Sequence, residues 1–133
     1  MKAYDHYVQA LDVLKRAPDQ DLENEFIQGG VVSKFQLQFE LGWKLFKALL
    51  AYEGDAMAAT GSPRDIIKAA YRYYDFMDED VWLQMLRSRN EAAHIYDATV
   101  AARLTRAVVD IYLPEFVRVQ EGVEARYGEL LHE

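Results

Sequence analysis

Residues 32–50 read VSKFQLQFELGWKLFKALL, a stretch without proline and with a single glycine, Gly42. Placed on a helix at about 100° per residue, Phe35, Phe39, Trp43, Phe46 and Leu50 form one aromatic stripe. Leu37, Leu41, Leu45 and Leu49 form a second stripe on nearly the opposite side, and Glu40, Lys44 and Lys47 lie between the two. A helix that is apolar on two faces lies at the centre of a bundle, or gives one face to the core and the other to a second subunit. The fold expected from this segment is all-α, and homodimerisation follows directly from the second option.

Working outward, the neighbouring segments also read as helices. Tyr4, Tyr7, Val8, Leu11 and Leu14 mark a 3.6-residue period over residues 2–16, which stops at Ala17-Pro18-Asp19. The central helix begins somewhere in residues 20–33, with an interruption expected at Gly29-Gly30, and ends near Tyr52 with Gly54 as its stop. Ser62, Pro63 and Asp65 have the order of an N-cap, a first helical residue and a third-position acid, predicting a helix to about Tyr74. Asp78 is the expected cap of the helix over DEDVWLQMLRSRNEAAHIY, and Asp97 of the next one, with a kink at Pro114 and a polar tail to Glu133. About five helices with short connections predict an up-and-down bundle, with residues 1–133 as a single domain.

Composition supports this and narrows function. Hydrophobic residues are 51% and aromatics 13% of the 133 residues, and there are only 3 prolines, which suits a folded helical globule. With no cysteine there is no disulfide framework, thiolate metal site or cysteine nucleophile. The start, MKAYDHYVQALDVLKR, is too polar for a signal peptide, and no long apolar run exists. A cytoplasmic protein away from the membrane is expected. The net charge of −7 argues against broad electrostatic binding of duplex DNA or anionic lipid, although a few arginines can still dominate a cleft.

Within RSRNEAAHIYD, residues 87–97, Arg89 falls inside the apolar stripe of its helix, with Trp82, Met85, Leu86, Ala92, Ala93 and Tyr96 within about 60°. An unpaired guanidinium there is costly. It must meet a carboxylate such as Glu40 or Asp97, reach an edge, or line a groove open to solvent or to a second subunit. Asn90 and His94 sit together on the flank, four residues apart.

Arg89, Asn90, His94 and Tyr96 spell R-x4-H-x-Y. Together with FELGWK at 39–44 and SPR at 62–64, this resembles the nucleotidyltransferase substrate-binding family, a branch of the HEPN domains. The resemblance is best over residues 30–97. It implies a helical bundle encoded beside a minimal nucleotidyltransferase, paired as a homodimer whose arginine–histidine motifs share a cleft. Active members cut RNA without a metal, as toxins of toxin–antitoxin pairs.

By that resemblance His94 moves protons near neutral pH, Arg89 binds the phosphoryl oxygens, and Asn90 orients one or the other. Tyr96 is the implied acceptor of AMP from the nucleotidyltransferase. No metal or cofactor is expected. One geometric condition must hold: Arg89 and His94 stand about 140° apart on an ideal helix, so the helix must end near His94 or two subunits must contribute. Arg87 departs from the family habit of an acid before the arginine–asparagine pair.

Three readings stand side by side: a ribonuclease, a non-catalytic substrate-binding subunit of the nucleotidyltransferase, and a helical dimer whose Arg89 only packs. A weaker candidate for RNA or nucleotide binding is the row Arg64, Lys68 and Arg72 with its flanking tyrosines. His6 and His132 are expected to be inert. The paired carboxylates and Gly-Ser motif of a nucleotidyltransferase are absent, so the chain is not itself that transferase.

Overall fold

Asn24 opens the central helix: its side-chain carbonyl accepts the backbone N–H groups of Phe26 and Ile27 at 2.8 and 3.2 Å, satisfying donors that a helix start leaves free. In the computed structural model, which describes residues 1–133, this helix is α2, Glu25–Tyr52. It runs through Gly29 and Gly30 without the expected interruption, because the helical segment that follows is long enough to carry two poor helix formers. It ends at Gly54, whose φ of 78° and the bond from Asp55 N–H to Leu50 C=O at 2.9 Å form the expected left-handed stop.

Around α2 stand α1 (Lys2–Leu14), the single turn α3 (Met57–Thr60), α4 (Pro63–Tyr73), α5 (Glu79–Glu91), α6 (Ala98–Ala107) and α7 (Leu113–Leu131). There are no strands. Helices α1, α4, α5 and α6 all pack on α2, so the doubly apolar helix is central. Ser62 and Asp65 make the reciprocal capping box at α4 with Pro63 at its first position. Asp78 caps α5 through Val81 N–H, and Asp97 caps α6 through Thr99 and Val100.

The two stripes of α2 have different fates. Phe35, Phe39, Phe46 and Leu50 are fully buried, as are Leu45 and Leu49. Leu37 is 47% exposed, Leu41 and Trp43 are half-buried, and the outer end of the leucine stripe faces solvent. At the centre Trp82 lies within 4.9 Å of the Phe46 ring and 5.5 Å of Phe116, centroid to centroid. Gly42 makes this approach possible, since a Cβ there would stand 2.5 Å from the indole. Burying each such aromatic side chain contributes roughly 2–3 kcal/mol. Two buried polar side chains bond across elements: the Tyr7 hydroxyl donates to the Phe116 carbonyl at 2.6 Å, and Gln38 Nε2 to the Tyr7 carbonyl at 3.0 Å, while Gln38 Oε1 has no partner.

One expectation for the C-terminal third is corrected. Instead of a polar tail, α7 continues to Leu131, burying Phe116, Val119, Val123, Tyr127 and Leu131 against the core. The disturbance expected at Pro114 takes the form of a π-helical turn, Val108–Tyr112, which joins α6 to α7. Proline has no N–H to donate and its ring crowds the carbonyl four residues back; a wider turn just before it relieves both. His132 is also engaged: its Nε2 pairs with Glu124 at 2.7 Å, and the Tyr4 hydroxyl donates to the same carboxylate at 2.5 Å.

Candidate functional site

Helix α5 ends at Glu91 and tightens into a 3-10 turn, Ala92–His94. The chain then reverses at Ile95 and Tyr96 and enters α6 at Asp97, whose extended backbone and capping carboxylate stop any continuation of α5. A small apolar cluster of Val32, Ala92 and Leu104, with Ile95 and Val100 packed against it, holds this reversal to α2 and α6. The condition read from the sequence is therefore met on one count: the α-helix stops before His94, and the histidine leaves ideal helical register.

Arg89 occupies the last turn of α5 and faces α2. Its Nη1 donates to Glu40 Oε1 at 2.7 Å, and the guanidinium lies over the Phe39 ring at 5.6 Å from the centroid. The other oxygen of Glu40 accepts the Trp43 indole N–H at 2.8 Å. One carboxylate thus ties a cation of α5 to an indole of α2. Both Arg89 and Glu40 are about one-third exposed, at 31% and 35%. The arginine therefore is not sunk in the core; it reaches the bundle's edge and meets a carboxylate there, with Glu40 and not Asp97 as the partner.

His94 is exposed and Tyr96 is 84% exposed. Their rings meet edge to face, 6.1 Å between centroids and 72° between planes. Asn90 is exposed. It does not hydrogen-bond His94, although the four-residue spacing allows it; the neighbouring bonds are those of Arg89 to Glu40 and of Arg103 to Glu91. The motif thus divides into a clamped arginine and a free His94–Tyr96 pair beyond the helix end.

The basic row of α4 stands apart. Arg64 and Arg72 are exposed and Lys68 half-buried, opposite the face that buries Ile66, Ile67, Ala69 and Ala70. Arg72 borders a cleft near the α4–α5 connection, together with Arg118 and Arg126. That cleft is balanced by Asp75, Asp78, Glu79 and Asp80 on its rim. No three His, Asp or Glu side chains converge to hold a metal ion, and no helix is long and apolar enough to cross a membrane. His6 is exposed on α1.

What sequence reasoning missed is the indole of Trp43. The aromatic stripe counts it with the core, yet it turns sideways and fixes Glu40. The three-residue spacing of Glu40 and Trp43 was the available signal, since residues three apart on a helix are neighbours.

A bundle built on one doubly apolar helix, with a clamped arginine at the end of α5 and a histidine–tyrosine pair just past it, defines a class of small all-α proteins. A family model described as nucleotidyltransferase substrate binding protein like matches residues 2–125, and the chain belongs to that family. A search of curated proteins returned no match.

Proposed function

We propose that this chain is the helical partner subunit of a minimal nucleotidyltransferase, and that as a HEPN-type homodimer it cuts RNA without a metal, as the toxin of a two-gene pair in the cytoplasm. The observation that carries this reading is the division of the motif. Arg89 is held at the rim by Glu40, while His94 and Tyr96 stand free one 3-10 turn later. A packing arginine alone has no use for an exposed histidine beside an exposed tyrosine.

In the proposed reaction His94 takes the proton of a ribose 2′-hydroxyl. The oxygen attacks the adjacent phosphorus, the bond to the 5′-oxygen breaks, and a 2′,3′-cyclic phosphate forms. The departing 5′-oxygen receives a proton from an acid across the dimer cleft, where the second copy stands. Arg89 offers guanidinium N–H groups to the phosphorane oxygens as their charge grows, and Asn90 orients the phosphate. Arg64, Lys68 and Arg72 extend contact to the RNA from α4.

The deciding experiment is RNA cleavage by the purified protein in EDTA, comparing wild type with Arg89→Ala and His94→Ala and checking the oligomeric state of each. Loss of cleavage in both variants, with the dimer intact, supports the ribonuclease. A wild type that cleaves nothing removes it.

One observation favours the non-catalytic alternative, a substrate-binding subunit. The chain carries a net charge of −7, and the guanidinium that would meet phosphate is already neutralised by Glu40. On that reading the same purified chain binds the nucleotidyltransferase and never cleaves.

A further inference from the structure

Arg87 lies two residues before Arg89 and so points about 200° away from it around α5. Where Arg89 turns to α2, Arg87 turns to the groove between α5 and the α6–α7 junction. The reversal at residues 95–97 folds α6 back along α5 and brings Arg103 and Arg106 to the same groove. Three guanidiniums therefore meet on a chain whose overall charge is −7.

Their charges are not all spent. Arg103 is ion-paired with Glu91. Arg106 has only Glu23, at 3.7 Å, and that carboxylate is 86% exposed, which makes the pair weak. Arg87 forms no ion pair, those nearby being taken by Arg89, Arg103 and Arg106. Asp110 is the one further acid on the rim. With Glu23 counted, three cations face three acids, and what the groove offers an anion is the unpaired Arg87 and the weakly paired Arg106.

The floor is polar and built. Ser88 and Tyr112 are buried, with their hydroxyl oxygens 2.6 Å apart. Tyr112 closes the π-helical turn Val108–Tyr112, a distortion that recurs at functional sites. Gln84 adds an amide beside them. Ala107 and Ile111 are the only aliphatic contributions, which is little for a protein partner, whose interface needs an apolar centre. Planar guanidinium forks above hydroxyl and amide donors suit phosphate oxygens instead.

We infer that the α5–α6 groove is a second anion site, in which Arg87 and Arg106 bind the phosphates of a polyphosphate-bearing ligand over the Ser88–Tyr112 floor. The ligand is either a stretch of single-stranded RNA backbone or the phosphate chain of a nucleotide. The site lies on the face of α5 opposite Arg89 and does not rest on the cleavage reading, because binding is measured without chemistry.

The test is titration of the full-length protein in low salt with two probes, inorganic tripolyphosphate and a fluorescent single-stranded RNA whose 2′-hydroxyls are methylated so that it cannot be cut. Wild type is compared with Arg87→Gln/Arg106→Gln and with Lys2→Gln/Lys15→Gln, which removes the same charge from the two ends of α1, outside the groove. The expected result is a loss of affinity of about tenfold or more in the arginine variant, as for removed charge-assisted bonds, with little change in the lysine variant. Loss for RNA alone assigns the site to a polynucleotide backbone, and loss for tripolyphosphate alone to a nucleotide's phosphate chain. Equal losses in both variants, no loss in either, or no binding by wild type would overturn the inference. All four positions are exposed on the surface, and circular dichroism of each variant verifies the fold.

Discussion

Nη1 of Arg89 and Oε1 of Glu40 stand 2.7 Å apart and join the end of α5 to the middle of α2. Since both side chains are about one-third exposed, solvent screens the pair, and a double-mutant cycle of Glu40→Gln and Arg89→Gln is expected to give a coupling of only about 0.5–1 kcal/mol in urea unfolding. Function discriminates better than stability. If Arg89 serves phosphate, Glu40→Gln removes the charge that neutralises the guanidinium and leaves an amide that still orients it weakly, so affinity for uncleavable RNA rises. If Arg89 only packs, Glu40→Gln leaves RNA affinity where it was.

The contrast between Gly42 and Gly30 makes a second prediction. Both lie inside α2, where alanine is the better helix former by about 1 kcal/mol. At Gly30 a Cβ would meet nothing within 4 Å, whereas at Gly42 it would meet the buried Trp82 ring at 2.5 and 2.9 Å. Gly30→Ala is expected to stabilise by about 0.5–1 kcal/mol. Gly42→Ala is expected to destabilise by about 1–2 kcal/mol, overpacking outweighing propensity. Urea melts of the two variants check the opposite signs.

These two glycines also mark what could be read from the chain and what could not. The periodicity of Phe35, Phe39 and Phe46 announces a central helix, and Ser62, Asp78 and Asp97 announce helix starts, because each depends on residues within one turn. The steric role of Gly42 depends on Trp82, forty residues away, and nothing local reveals it. The C-terminal helix was obscured differently. Val119, Val123, Tyr127 and Leu131 recur every four residues, but Glu121, Glu124, Arg126 and Glu129 lie among them and give the segment a polar average. Of the site, the order Arg89, Asn90, His94, Tyr96 was legible. The Arg89–Glu40 bond and the meeting of Arg87 with Arg103 and Arg106 arise from packing between helices, and the sequence offered only candidate partners for them.

Stability should fall with rising pH through one buried group. Glu115 is 1% exposed, and its carboxyl is held above the ordinary glutamate value of 4.5 chiefly by burial. The Asp78 backbone N–H, the Arg118 guanidinium and the Trp82 indole pull it down, and the Asp78 carboxylate pushes it up. A raised carboxyl binds its proton more tightly in the folded chain, so its contribution is fully present below the unfolded value and is lost as pH rises through the folded one. Glu115→Gln is expected to flatten this decline in urea melts taken above pH 4.5. Glu115→Ala leaves the Asp78 and Trp82 N–H donors unpaired and should cost about 2–3 kcal/mol. Glu124 has the opposite sign: the hydrogen bonds of Tyr4 and His132 lower its carboxyl, so its contribution is lost as pH falls. A decline above pH 4.5 that persists in Glu115→Gln would place its source in another group.

Tyr96 is the most exposed of the large apolar side chains named on this surface, at 84%, against 61% for Tyr52 and 49% for Tyr71; only Phe26, at 83%, approaches it. Exposure makes its hydroxyl reachable by a second enzyme, and the His94 ring stands edge-on beside it. With the cognate nucleotidyltransferase, ATP and magnesium, the phenol oxygen is expected to attack the α-phosphorus, losing its proton and releasing pyrophosphate. The adduct places a phosphodiester and an adenosine directly against His94, blocking the approach of RNA. Intact-mass spectrometry should register one AMP per chain, peptide mapping should put it on Tyr96, and Tyr96→Phe should remain unmodified. The modified protein should lose both RNA cleavage and affinity for uncleavable RNA. An adduct that maps to Tyr52 or Tyr71 would separate the modification from the arginine–histidine motif, and its effect on cleavage would then have to act through a surface distant in sequence from His94.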